Sequence, residues 1–337
     1  MRSLRLYGPG DLRLVEEAQP VPGAGDELVR VSAVGICGSD LHWYAESAIG
    51  DAVLTRPLVL GHEAGGVIDS GPRRGQRVAI DPAIPCEACE QCRAGRGHLC
   101  LAIKFAGHGA TDGILREFVA WPGRCLVPIP DSLSDADAAM LEPLGVALHA
   151  VRLAHIQPGA RVGVFGSGPI GLFLIQLARA SGATTIVATD VLPHRVAAAR
   201  EAGATVAAIA DGGSERAELL AATGGHGVDV AFEVAGEDDA LETSIALAAP
   251  AGTVVVVGIP SQDHTSFTAS TARRKGLTIK LSRRMNRVYP EAIRLVEAGF
   301  VDVRSAVTAS YPLSEFKAAF DCASARVGLK VIVRPSE

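Results

Sequence analysis

No run of about 18 apolar residues occurs anywhere in the chain, so nothing in it is expected to span a bilayer as a helix. The opening Met1-Arg2-Ser3-Leu4-Arg5 leads into a strand-like segment without an apolar h-region or a small-residue cleavage site, which predicts a cytoplasmic protein. Charge of one sign is also scarce. With 32 Lys and Arg against 37 Asp and Glu, the net charge is −5, and a pI near 6.0 gives no reason to expect a nucleic-acid or anionic-membrane partner. Internal repeats and low-complexity tracts are missing too, although residues 195–222 are alanine-rich, as expected of surface helices on a sheet. In a reducing compartment the seven cysteines are expected as metal ligands or free thiols rather than disulfides.

What is present points to two domains, since 337 residues exceed what one core usually serves. Residues 1–150 alternate short β-type runs, such as Glu27 to Ala33, Ala64 to Asp69 and Arg77 to Ile80, with Gly- and Pro-rich turns. From about 155 onward the pattern changes. Apolar runs at Val162 to Phe165, Thr185 to Thr189, Thr205 to Ala208, Val228 to Val234 and Thr253 to Gly258 alternate with helical periods, which predicts an α/β doubly wound parallel sheet over 151–283. Gly252 reads as a turn before the last of these strands. A helix over Pro290 to Ala298 and a strand over Leu329 to Val333 place 284–337 back with the first, β-rich domain.

The chain's organising stretch is RVGVFGSGPIGLFLIQLARASGATTIVATD, residues 161–190. A buried strand, a turn through Gly166, Gly168 and Gly171, a helix and a second strand ending at Asp190 make a dinucleotide-binding unit. The first glycine permits the turn, the second lets backbone approach a pyrophosphate, and the third lets helix and strand pack. The helix N-terminus offers free N–H groups to phosphate. Asp190, about twenty residues beyond Gly171, suits an adenosine ribose diol and would repel a 2′-phosphate, favouring NAD over NADP.

Cys86, Cys89, Cys92 and Cys100 read CxxCxxCx7C. Four thiolates so close can surround one tetrahedral zinc with no open position, so this site is expected to be structural. Arg93 and Arg96 would offset the surplus negative charge; two disulfides or an iron–sulfur cluster are the alternatives. A second set is scattered: Cys37 in GICGSD, His62 and Glu63 in GHE, Glu142 in MLEPL. Taken singly these also fit a buried thiol, a hydrogen-bonded core histidine and a helix-capping acid.

Together with the four-cysteine lobe and the dinucleotide unit, the stretches GICGSDLH, VLGHEAGGVI and LEPLGVALHA make the chain resemble, over its whole length, the zinc-dependent medium-chain alcohol dehydrogenases, closest to the polyol branch of sorbitol, xylitol and L-idonate type enzymes. The resemblance implies a GroES-like catalytic domain beside a Rossmann coenzyme domain, with the active site in the cleft between them. It makes Cys37 and His62 catalytic zinc ligands, with Glu63 and Glu142 sharing the third position. It casts Ser39 as first acceptor of the substrate proton and His42 as the relay to solvent. It adds Pro169, Ile170, Arg195 and Gly258 to the cofactor set. Trp43, Tyr44, Phe118 and Arg284 become substrate-side residues, although Trp43 before Tyr44 departs from the aromatic order common in that branch.

A metal is needed because an alcohol cannot lose hydride until its hydroxyl has largely lost its proton. Bound zinc lowers the pKa of water from about 15.7 to about 7, whereas a general base alone supplies only about 10²- to 10⁴-fold. An arginine such as Arg284 suits a polyhydroxylated or acidic substrate, since a short alkyl alcohol would leave it unpaired. The expected activity is oxidation of a secondary hydroxyl of a polyol, sugar alcohol or aldonate to a ketone with NAD. Oxidation of L-threonine or 2,3-butanediol, and a non-catalytic NAD-binding role, are the alternatives. The resemblance also implies a homodimer or homotetramer. Cys125, Cys322 and His149 are read as packing.

Overall fold

The computed structural model describes all 337 residues. In chain order the elements used below are β1 (Arg2–Gly8), β2 (Asp11–Glu16), β3 (Asp26–Gly35), α1 (Gly38–Glu46), β4 (Leu58–Val59), β5 (Glu63–Ile68), β6 (Arg77–Ile80), β7 (Phe118–Pro122), β8 (Leu126–Pro128), α2 (Asp135–Ala154), β9 (Arg161–Phe165), α3 (Pro169–Ala180), β10 (Thr185–Asp190), β11 (Val206–Ile209), β12 (Val228–Glu233), β13 (Ala248–Val256), β14 (Thr278–Leu281), β15 (Val307–Pro312) and β16 (Lys330–Arg334). They divide into two units. One comprises Met1–Pro143, Asn286–Glu297 and Val303–Glu337, the other Leu144–Met285 and Ala298–Asp302. The division falls inside α2, which carries Pro143 in its interior. Ser134 and Asp137 start that helix with reciprocal side-chain-to-backbone hydrogen bonds of 2.8 and 3.1 Å.

The first unit is built on a seven-stranded sheet, ordered β8-β6-β5-β3-β16-β15, with β7 also paired to β3. Alternation explains β3: Val29 and Val31 are buried and Arg30 between them is exposed. Val34, Ile68, Val78, Ile80, Val331 and Val333 extend the same core. A three-stranded sheet, β2-β1-β4, adds Leu4, Leu6 and Leu58.

The second unit holds a six-stranded parallel sheet in the order β11-β10-β9-β12-β13-β14. The near-continuous apolar strands that identify a parallel sheet are there because both faces are covered. Chain order runs outward from β9 to β11 and restarts at β12, so the switch point lies between β9 and β12. This is a doubly wound Rossmann-like sheet, as expected. Gly252, expected as a turn, lies within β13, where the pairing with β12 loses register between Val228 and Val230. No helix is long and apolar enough to cross a membrane.

Candidate active site

In the first unit, Cys37 closes the approach to α1, and its N–H donates to Asp40 Oδ2 (2.9 Å), three residues on. Asp40 is fully buried, accepts the Gly61 N–H at 3.0 Å, and stands 3.5 Å from His62 Nδ1. This fixes the ring so that Nε2 faces Ser39 Oγ at 3.4 Å. Cys37, His62 and Glu63 each present a ligand atom, all within 4.8 Å of one another. Glu63 is buried and both its oxygens lie 2.7 Å from Lys330 Nζ on β16; Lys330 also donates to Ile36 O at 3.1 Å. Gly35 makes room for this pair, because a Cβ there would overlap Glu63 Oε2 and touch Met140 Cε at 3.0 Å.

The electrostatics follow from burial opposed by charge. Burial disfavours the His62 imidazolium, but the Asp40 carboxylate and Cys37 sulfur outweigh it and raise its pKa. Burial would likewise raise Asp40, yet His62 and the two backbone N–H groups bring it below the usual carboxylate range. Glu142 is buried outside the group of three, and burial, reinforced by Glu63, pushes it up to about 7.

Zinc fits this donor set. A thiolate, an imidazole held in one tautomer by a carboxylate, and a second carboxylate are catalytic-zinc ligands with a place left for substrate. The four-cysteine lobe fits too, as a closed site. Cys89 and Cys92 sulfurs are 3.5 Å apart and Cys86 and Cys92 sulfurs 4.0 Å apart, and no cysteine of the chain is in a disulfide. N–H groups of Cys92 and Leu101 pull the Cys89 thiol down to about 6, towards the thiolate a metal needs.

Of the expected relay and substrate-side residues, His42, Trp43 and Tyr44 share α1, and Phe118 and Arg284 stand on other parts of the chain. His42 is partly exposed, with Nδ1 3.9 Å from Glu46 Oε1. Trp43 is buried edge-on to His108 at 5.7 Å, and Tyr44 packs on Phe320 in the core. Phe118 sits on β7 opposite Arg30 of β3. The aromatic ring against His62 is Phe105, at 5.4 Å. Arg284 follows β14 in the second unit, with left-handed backbone at φ +56°. Sequence reasoning passed over Asp40, Lys330 and Phe105. A lysine inside the apolar run Leu329 to Val333 was the available signal for Lys330.

The second unit carries the dinucleotide features. Gly166 has φ +109° and packs so closely on the next turn that a Cβ would stand 2.9 Å from Ala235 N. A Cβ on Gly171 would overlap Gly166 O, while Gly168 has only Arg195 Nη1 within reach, at 3.6 Å, leaving its backbone approachable. Pro169 occupies the first turn of α3 and Ile170 follows it. Asp190 ends β10 and accepts N–H bonds from Ser167 (2.9 Å) and Leu192 (3.0 Å); Arg195 Nη1 is 3.9 Å from it. A Cβ at Gly258 would overlap Gly236 N. A dinucleotide fits this cradle, since every close approach is kept by a glycine.

A family model described as alcohol dehydrogenase GroES-like domain matches residues 23–131, and one described as zinc-binding dehydrogenase matches residues 169–298. The sorbitol dehydrogenase of Bacillus subtilis (strain 168) is 36% identical over 346 residues, covering 100% of this chain and 98% of its own length. A solved structure described as a short chain alcohol dehydrogenase from Escherichia coli CFT073, complexed with NADH, superposes with a TM-score of 0.91 at 27% identity, covering 99% of each chain. A zinc-binding dehydrogenase from Sinorhizobium meliloti 1021 bound to NADP gives 0.90 at 31% identity, again covering 99% of each chain.

Proposed function

The chain belongs to the polyol branch of the zinc-binding dehydrogenases with a GroES-like domain, and from that premise we propose that it oxidises a secondary hydroxyl of a polyol, sugar alcohol or aldonate to the ketone, with NAD as hydride acceptor. The observation that carries the reading is the buried convergence of Cys37, His62 and Glu63, with ligand atoms within 4.8 Å and the Ser39 hydroxyl beside His62 Nε2. When bound, zinc acidifies the substrate hydroxyl and the nicotinamide accepts the hydride.

The chain's own residues do the rest. Cys37 and His62 supply the sulfur and nitrogen ligands. Asp40 holds His62 Nδ1 so that Nε2 is free for the ion. Glu63 is the third protein ligand, steadied by Lys330. Glu142, raised to about 7, exchanges a proton or a water near neutral pH. Ser39 Oγ takes the substrate proton and His42, partly exposed, passes it to solvent.

NAD rather than NADP is favoured by the Asp190 carboxylate at the ribose position. Arg195, 3.9 Å from it, is the opposing feature, since an arginine there can accept a 2′-phosphate. A homodimer or homotetramer is supported by the open sheet edge at β14, where Leu281 is 76% exposed; light scattering of the purified chain tests it. A cytoplasmic location is supported by seven cysteines that form no disulfide.

The testing experiment is NADH formation by the zinc-loaded protein over sorbitol, xylitol, galactitol, L-idonate, threonine and 2,3-butanediol, with NADP in parallel. Turnover confined to polyols or aldonates with NAD is expected. Turnover of threonine or butanediol alone discards the substrate class, and a preference for NADP discards the role given to Asp190.

A further inference from the structure

Ligands of open α/β sheets bind outside the carboxyl ends of the strands, where strand order reverses. Here that point lies between β9 and β12, whose last residues, Phe165 and Glu233, are paired in register. Asp190 at the end of β10 assigns the adenosine half to the β9–β11 side. The nicotinamide half therefore falls to β12 and β13.

Glu233 is 1% exposed. Its Oε1 accepts the N–H groups of Ala235 and Gly236, both at 2.7 Å. Its main-chain oxygen accepts those of Val257 (2.8 Å) and Gly258 (3.2 Å), and a Cβ on Gly258 would stand 2.8 Å from Glu233 Oε2. The turn it holds abuts the Gly166 turn, with the Val234 N–H donating to Phe165 O at 2.8 Å. The carboxylate thus organises the turn after β12, and the main-chain oxygen of the same residue ties the turn after β13 to it, both against the glycine turn after β9. No lysine, arginine or histidine pairs with it, so its charge is met only by backbone dipoles. A buried carboxylate with no cation is costly. A glutamine of the same shape could anchor the same turn, so the charge itself calls for a reason.

We propose that Glu233 is a positioning residue of the cofactor site, whose carboxylate fixes the turn 234–236 on the nicotinamide side and favours the oxidised, positively charged ring over the reduced, neutral one. The inference rests on the NAD reading above. The ring of NAD carries a positive charge that NADH lacks, so an uncompensated carboxylate nearby stabilises the oxidised form selectively, and low local polarity strengthens the effect. Such a bias suits a site whose task is to start from the oxidised coenzyme.

The test is to measure dissociation constants of NAD, NADH and ADP-ribose for wild type, Glu233→Gln, Glu233→Ala and Glu233→Asp. Glu233→Gln keeps an acceptor for Ala235 and Gly236 but removes the charge. It should weaken NAD about tenfold while leaving NADH and ADP-ribose within about twofold. Glu233→Ala removes the anchor and should weaken both NAD and NADH, with glutamine rescuing NADH. Glu233→Asp keeps the charge but withdraws the oxygens, so both coenzymes should weaken at an unchanged ratio. If Glu233→Gln does not fold, Glu233→Ala decides the matter, since it too lacks the charge and should weaken NAD about tenfold more than NADH. An unchanged NAD-to-NADH ratio in folded Glu233→Gln, or a shifted ratio in Glu233→Asp, overturns the inference and leaves the NAD reading standing. Wild-type protein that binds neither coenzyme overturns that reading and the inference with it.

Discussion

Asp40 shows how much one buried carboxylate arranges: the start of α1, the Gly61 turn and the face that His62 turns inward. Its replacement by Asn should cost about 10- to 100-fold in zinc affinity at the Cys37 group, read by competitive zinc titration, with NADH binding unchanged. Lys330→Met should be harsher. In zinc-free protein it leaves Glu63 buried without a cation, at a cost of about 3–5 kcal/mol in urea unfolding. Asp81 gives a pH signature instead. Burial raises its pKa to about 6, partly offset by the Ala83 N–H. A raised folded-state pKa means that its protonated form stabilises the fold below about pH 4 and that this contribution is lost as pH rises through about 6. Asp81→Asn should therefore be more stable than wild type at pH 7, by up to about 3 kcal/mol, with the difference closing near pH 4. At this scale the local motifs were legible in the sequence. Cys37, His62 and Glu63 sit in short recognisable stretches, whereas the Glu63–Lys330 pair spans 267 residues and only folding brings it together.

The strands of the parallel sheet were readable because burial on both faces demands unbroken apolar runs. One strand of that sheet was not, nor was β15 in the first unit. β14 is a four-residue edge with a mostly exposed pattern, and β15 alternates partly buried with exposed residues, so neither carries an apolar run. The unit boundary was hidden for a related reason: α2 continues through it, and a helix shows no break in period where its contacts change. Two glycines test how tightly elements meet. Gly171→Ala places a methyl group on Gly166 O, where α3 meets the turn after β9, and should abolish measurable NADH binding. Gly35→Ala strikes Glu63 instead and should lower catalytic zinc occupancy while leaving NADH binding intact. Parallel fluorescence titration and metal analysis of the two variants separate these effects; loss of both properties in both variants would mean general unfolding.

Across the whole chain, chemistry is divided between a unit that gathers metal ligands and a unit that cradles a dinucleotide, and each was announced by its own pattern. What the sequence could not display was the environment that makes the ligands work: the burial of Glu142, the Lys330 cation and the Phe105 ring against His62. The central claim is that the Cys37 group holds the zinc that drives polyol oxidation. It is tested most directly by measuring zinc content, NADH binding and sorbitol-dependent NADH formation together, on wild type and Cys37→Ser. Wild type should carry two ions per chain, one at each group. The variant should keep the four-cysteine ion and NADH binding but lose turnover by at least about a thousandfold. A Cys37→Ser protein that retains both ions and the full rate would contradict the account.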